Sequence, residues 1–525
     1  MRWSDVTPAV AKCALSTIAL CLVTWAWAEE PAVTPPNADL ANSIRELQGQ
    51  IRELRTAVAE LRSEAAQYHA ETVQLRHELE AARTAHAAPV QVTESNEKAV
   101  AQDNTQSVLP DTASPPAKPQ RSHASLEEQL QLLSSKVDDQ YQTKVESASK
   151  YRVRLSGLLL FNLFSNRGSV DNTDFPHVAM RPFAGTSHDF GGTLRQSVLG
   201  LEVFGPEFAG AKTRGDVQFD FAGELVPKSN GVTMGMLRLR TGTIHLDWAK
   251  TSLVAGQDAL FFAPLSPTSL ASIAEPPLSY AGNLWSWTPQ IRLEHRLDIS
   301  ENSSFLFQAG VVDGLTGQVP LLDYYRTPQA GEAANSPAIA ARTSWTARVF
   351  GEPLSFGAGG YYNRQDWGFS RTVDGWAGTA DWSIPVGHWF NVSGEFYRGR
   401  AIGGLGAGLG RSTLWTGLFS NPTTAIRGLD SMGGWSQLKF KPKANLEFNA
   451  AVGQDSSFAN ELRQFDAASG YFDSALIRNR GGFINFIYRP RSDLLLSMEY
   501  QRLATRSLYN DLTANHLNLS MGILF

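Results

Sequence analysis

A chain of 525 residues with a net charge of -5 and a pI near 6.1 lacks the basic balance that nucleic acid demands. Its mean hydropathy is -0.21, and beyond the N-terminal region it holds no apolar run of the roughly 18 residues that a membrane-spanning helix needs. Abundant glycine (44 residues) and 13 tryptophans at such low hydropathy fit a membrane β-barrel, whose lipid signal is hidden in alternation.

The first 28 residues read as a secretory signal. Arg2 and Lys12 supply positive charge, residues 13–25 are apolar, and Ala26-Trp27-Ala28 is a small-x-small cleavage site before Glu29. The competing reading is an N-terminal anchor, for which the apolar stretch is short. Cys21 raises lipoprotein processing, but Leu20 before it is bulky for such a site. Cys13 and Cys21 are the only cysteines and leave with the signal, so the mature chain has no disulfide and no thiolate chemistry.

Residues 29–87 are expected to form a periplasmic coiled coil. Leu40, Leu47, Leu54, Leu61, Tyr68 and Leu75 occupy one heptad core position; Ile44, Ile51, Val58, Ala65, Thr72 and Leu79 occupy the other. An amphipathic helix with one apolar seam must bury it against a copy of itself, so a homo-oligomer follows; a single solvated helix is the bland alternative. β-Branched residues opposite leucine favour two strands, weakly here because Ala65, Tyr68 and Thr72 loosen the core. Residues 88–124, rich in Pro, Ser, Thr, Gln and Ala, read as a disordered linker. A second short seam, Leu126, Leu130, Leu133 and Val137, predicts a helical segment within 125–150.

From Tyr151 to Phe525 the period changes to 2. In the first strand Val153, Leu155, Leu159, Phe161 and Leu163 share one face, with Arg152, Arg154, Ser156 and Asn162 on the other. In the last, Leu517, Leu519, Met521, Ile523 and Phe525 oppose His516, Asn518 and Ser520. One face for lipid and one for water is what a membrane barrel requires of every strand. The segments number about 16 by this pattern, with starts near 151, 194, 212, 236, 250, 289, 303, 339, 354, 374, 388, 432, 444, 478, 491 and 514. Long connections are read over 166–193, 258–288, 313–338, 398–431 and 454–477, and short ones at 248–250, 351–353, 385–387, 441–443 and 490–492. Short turns belong to the periplasmic side, which puts both barrel ends there with the stalk. The fold class is therefore all-β: an antiparallel transmembrane β-barrel of about 16 strands, preceded by an α-helical coiled coil. A soluble β-sandwich also alternates, but this chain is too long and its strands too many.

Pore chemistry is sought on the polar phase. Arg152, Arg154, Arg238, Arg240, Arg292 and Arg296 lie there, with Arg195 and Arg214 as additions, and a basic ladder would attract carboxylates. Asp216, Asp220, Glu202 and Glu294 share those walls, and simple pairing within a wet lumen is the alternative. The connection 258–288, bounded by Asp258 and holding Glu275, carries Leu260, Phe261, Phe262, Leu265, Leu270, Ile273 and Leu278. That apolar content needs cover. Folding into the lumen as a constriction provides it; packing on a neighbouring subunit is the other solution. His516 on the polar face and His245 near a periplasmic end stand in no catalytic motif, and no metal-ligand cluster is seen, so neither an enzyme nor a cofactor is expected.

The ordered set Arg195-Gln196-Ser197, Thr243-Ile244-His245-Leu246-Asp247-Trp248, Val254-Ala255-Gly256-Gln257-Asp258 and Trp287-Thr288-Pro289-Gln290-Ile291-Arg292 resembles the DcaP-like porins of Gram-negative outer membranes. The N-terminal heptads ahead of the barrel are similar too, and Phe525 resembles the aromatic end that outer-membrane assembly recognises. By motif the resemblance covers about a third of the barrel, and the rest by architecture. It implies a trimer with the third external loop folded into each pore, passing small anionic solutes such as dicarboxylates. On oligomeric state the family is followed over the heptads.

The expectation is thus an outer-membrane porin, a water-filled channel for passive diffusion of small solutes. The partners are outer-membrane lipid, two further copies, small anionic solutes and peptidoglycan at the stalk. The alternative is a structural protein tethering the envelope through its coil. Replacing Leu47 and Leu54 by polar residues removes apolar burial from the seam. The isolated fragment 29–150 should sediment as an oligomer and the doubly substituted fragment as a monomer; a monomeric unsubstituted fragment would contradict the reading.

Overall fold

The computed structural model describes residues 152–525 except 183–186, 224, 227–233, 318–325, 419 and 465–475. The expected signal segment, coiled coil, linker and short helix lie outside the described residues.

Sixteen antiparallel staves close into one barrel. They are β1 (Arg152–Arg167), β2 (Val198–Phe208), β3 (Ala211–Asp220), β4 (Arg238–Asp247), β5 (Thr251–Asp258), β6 (Thr288–Ser300), β7 (Ser303–Val312) and β8 (Ala338–Val349). There follow β9 (Glu352–Asp366), β10 (Thr372–Val386), β11 (Phe390–Arg400), β12 (Asp430–Lys443), β13 (Leu446–Ser457), β14 (Leu476–Arg491), β15 (Leu494–Ser507) and β16 (Asp511–Leu524). Each pairs with its chain neighbour, and β16 returns to β1 from Leu158↔Leu524 to Arg167↔Asn515. Closure leaves no open edge, as backbone in hydrocarbon requires. The last residue is tied in by Gly157 N–H to Phe525 O at 2.9 Å and Phe525 N–H to Gly157 O at 3.1 Å.

Alternation does what the pattern predicts. Outward-facing Leu155, Leu159, Ile244, Ile291, Ile339, Val452, Ile484, Met521 and Ile523 are exposed, while inward-facing Asn162, Asp220, Gln365, Asp455, Asn479 and Asn518 are fully buried. Aromatics stand exposed at both ends of the apolar band. Phe208, Trp248, Phe350, Trp389 and Tyr488 mark the rim of short turns; Phe190, Tyr362, Trp376 and Tyr500 mark the rim of long loops. Such girdles are the mark of a lipid-facing barrel. All the turns at one rim are two or three residues long, and both barrel ends lie at that rim.

Two details depart from the sequence expectation. The second stave is broken: His188–Thr193 pairs with the upper part of β1 and Val198–Phe208 with the lower. Residues 194–197 stand opposite 159–161, one residue more than a regular ladder holds. A strand start near 194 therefore falls on the break itself. The turns expected at 385–387, 441–443 and 490–492 lie one to three residues later, because Pro385, Pro442 and Pro490 sit inside strand ends, where a missing N–H is tolerated. Because each stave finds its partners within 152–525, a chain lacking residues 29–150 should still give a barrel with heat-modifiable electrophoretic migration. A truncated chain that never shows this shift would contradict the self-sufficiency of the barrel.

Candidate functional site

The connection between β5 and β6, residues 259–287, runs inside the barrel. Its apolar side chains meet apolar patches of the inner wall. Leu260, Phe261 and Phe262 pack with Val312, Ala338, Ala340, Tyr361 and Tyr397. Leu270 and Ile273 pack with Leu158, Leu160, Ile487, Leu495 and Leu524, and Leu265, Leu278 and Ala281 with Trp435, Ala451 and Phe483. Burying each large side chain stabilises the arrangement by about 1.5–3 kcal/mol.

Buried backbone needs partners. The inner wall supplies them as side chains. Thr379 Oγ1 of β10 donates to Phe262 O at 2.5 Å. Leu265 N–H donates to Glu395 of β11 at 2.6 Å, and Thr268 N–H to Gln437 of β12 at 2.6 Å. Asn485 of β14 donates to Thr268 O, and both Asn485 and Ser269 donate to Glu499 of β15. Asn479 of β14 donates to Tyr280 O at 3.1 Å. In the break before β2, Gln196 accepts from the N–H of Ile273 and Ala274 and donates to Ala271 O. Bulges re-aim side chains in this way. Where the loop lies flat on the wall, side chains vanish: a Cβ on Gly453 would stand 2.3 Å from Ala281 O, and one on Gly282 (φ +102°) 2.3 Å from Gly434 O.

The sequence-predicted arginines fall into separate groups. Arg238 and Arg240 both reach Asp220, at 2.7 and 3.1 Å, and donate to the loop carbonyls of Ala274 and Ile273. The β3–β4 register slips between Gln218 and Phe219, so Arg240 is the extra residue in the ladder with β3, and this bulge turns it inward with Arg238. Both guanidinium groups stand over Trp287, at 5.0 and 4.6 Å. Arg292 joins Asp258 at the loop base (2.8 Å) and Glu294 (2.7 Å). From Glu294 a buried chain continues through Gln308 to Arg342, which grips Asp381 with two bonds at 3.0 and 2.8 Å. Asp216 joins Thr243, His245 and Arg214. Arg296 lies away from the loop, near the turn rim, paired with Asp298. Arg154 pairs with Glu202 at 3.5 Å, and Arg152 begins β1 at the same rim. A further inward group, Lys439 and Arg489 around buried Glu447, drew no notice in the sequence. Nor did Gln196, Arg342, Asp381, Glu395, Gln437 and Asn485 as loop or network anchors. Their polar phase was readable, but alternation treats every inward polar residue alike.

Glu275 meets His177 of the β1–β2 connection at 3.2 Å, and Asp171 accepts from the backbone N–H of His177 and Val178. Tyr280 stands edge-on to the imidazole. No family model matches this chain, and no curated protein does. Solved structures do. The outer membrane channel DcaP of Acinetobacter baumannii is similar with TM-score 0.55 and 18% identity, over 73% of this chain and 100% of that one. The fold is that of an outer-membrane channel. An anion-selective porin from Comamonas acidovorans aligns at TM-score 0.43 and 11% identity, over 72% of this chain and 100% of that one. OmpT of Vibrio cholerae aligns at 0.42 and 11%, over 73% and 100%.

Burial disfavours the charged imidazolium, but Glu275 and then Asp171 outweigh it and hold His177 above its ordinary 6.5. Burial also pushes Glu275 upward, yet His177 and Arg238 reverse this and leave it below its ordinary 4.5. Asp171 is raised by burial, only partly offset by His177 and its backbone bonds. His177 thus stabilises the latch fully below its ordinary value and ceases to as pH rises through the raised one; Asp171 acts in the same sense. Glu275 stabilises above its ordinary value and ceases to as pH falls. Amide exchange in 272–280, corrected for intrinsic rate, should be slower at about pH 6 than at about pH 8.5, and Glu275→Gln should abolish the difference. An undiminished difference in the variant would remove the latch from the account.

Proposed function

We propose that the protein is an outer-membrane porin through which small solutes diffuse passively, with residues 259–287 as its constriction. The observation that carries this reading is the loop inside a closed barrel, hydrogen-bonded to inward side chains of β10, β11, β12, β14 and β15. The likeness to an outer membrane channel supports the reading at the level of fold.

The solutes proposed are small anions, dicarboxylates among them. Arg238 and Arg240 stand together on Asp220, and Lys439 and Arg489 on Glu447, so cations cluster at two places on the inner wall. Arg292, held between Asp258 and Glu294, is assigned to fixing the loop base. Arg152 and Arg154 are assigned to the periplasmic mouth. Charges in open water interact by only about 1 kcal/mol at contact, so the preference is modest except where the lumen narrows. The heptads of 29–87 are assigned to a periplasmic coil that joins three copies.

Reconstituted into a planar bilayer, the protein should give stepwise conductance, and its absence would leave the tether as the function. In a salt gradient the reversal potential should report anion preference and move toward zero in Lys439→Gln/Arg489→Gln. An unchanged potential would refute the anion assignment while leaving the channel.

A further inference from the structure

On the loop-side rim, the lipid-facing surface of β14 and β15 is cationic. Arg478, Arg480, Arg502 and Arg506 lie in phase with exposed Ile484 and Tyr500, and alternate with buried Asn479, Leu503 and Thr505. The register fixes their mutual placement. Arg478 stands directly opposite Arg506. Arg480 stands opposite Ala504 and so lies diagonal to both Arg502 and Arg506. Opposed residues have Cβ atoms roughly 5 Å apart and diagonal ones roughly 7–8 Å, which makes the four one continuous tile. Arg502 faces Asn515, whose other neighbour is Arg167. The row below is Ala450, Ile484, Tyr500, Leu517, Ser165 and Phe190, the top of the apolar band.

Like charges placed opposite one another destabilise a sheet. Elsewhere on this rim the chain avoids it: Arg364 faces Asp374, and Arg398 pairs with Asp430 at 3.2 Å. Among the described residues the four arginines of the tile make one ion pair, Arg506 with Asp511 at 3.2 Å. Arg480 donates to Gln454, and among the described residues Arg478, Arg480 and Arg502 make no ion pair with a carboxylate. Guanidinium binds phosphate bidentately, and a row of apolar side chains directly beneath suits acyl chains.

We propose that this tile is a binding site for the phosphate groups of outer-leaflet glycolipid, seated on the barrel wall with its acyl chains along Ile484, Tyr500 and Phe190. The proposal rests on the outer-membrane reading, which sets the loop rim outward. It concerns the lipid and not the solute.

The test uses the full chain and Arg478→Gln/Arg480→Gln/Arg502→Gln/Arg506→Gln, with Arg364→Gln as a paired-arginine control. Protein refolded in detergent is mixed with vesicles of phosphorylated glycolipid, the same glycolipid after dephosphorylation, or phosphatidylglycerol, and bound lipid per chain is counted by native mass spectrometry. Wild type and Arg364→Gln should retain phosphorylated glycolipid, and the fourfold variant should retain on the order of tenfold less. Equal retention by the fourfold variant, equal binding of the dephosphorylated lipid, or equal binding of phosphatidylglycerol would each overturn the proposal. So would a change of oligomeric state in the variant without loss of lipid, which would make the tile a contact with a second copy. Heat-modifiable migration of each sample confirms the barrel, and because the vesicle arm does not depend on where the chain sits in the cell, it separates failure of this site from failure of the porin reading.

Discussion

A loop that crosses the interior of a barrel carries its peptide groups away from bulk water, and each must find a partner there. In this protein the partners are side chains of the wall. Glu395, Gln437, Thr379, Asn485, Asn479 and Gln196 answer the N–H and C=O groups of residues 262–280. The wall is apolar where the loop is apolar, at Leu158, Ile487 and Leu495, and glycine where backbone meets backbone, at Gly453. The lumen is therefore not a generic polar surface. It is a cast of the segments that lie against it, residues 259–287 with parts of the β1–β2 and β11–β12 connections, and what crosses the barrel must use the space they leave.

The same constraint explains the pairing of charges. Arg240 and Arg342 are almost wholly buried, and a buried guanidinium without a carboxylate costs several kcal/mol. Asp220 and Asp381 meet that need, and Arg238 and Arg240 also close off the loop carbonyls. Of the arginines that read as a ladder along the sequence, Arg238, Arg240 and Arg292 are, in three dimensions, loop holders first. Outside the barrel the rule relaxes, and arginine stands opposite arginine on β14 and β15.

Much of this was legible in the residues. Period-2 alternation gave the strands, the asymmetry of connections gave the two rims, and the apolar load of 258–288 called for cover, with an interior course as one of two solutions. The rest depends on register and on single-residue insertions. Nothing in Arg195-Gln196-Ser197 announces that the stave breaks there, because a bulge has the composition of the strand around it. The slip that turns Arg240 inward is equally silent. Nor can alternation tell Gln196 or Glu499, which hold the loop, from the other inward polar residues.

The central claim is that residues 259–287 narrow the barrel from within. Excising 262–284 and joining the ends by a short glycine-serine bridge would take this segment out of the lumen while leaving every stave its partners. Single-channel conductance of the excised chain, in molecules that retain heat-modifiable migration, should rise several-fold, with entry of solutes too large for the intact protein. Conductance and size limit equal to those of the intact chain would contradict the account.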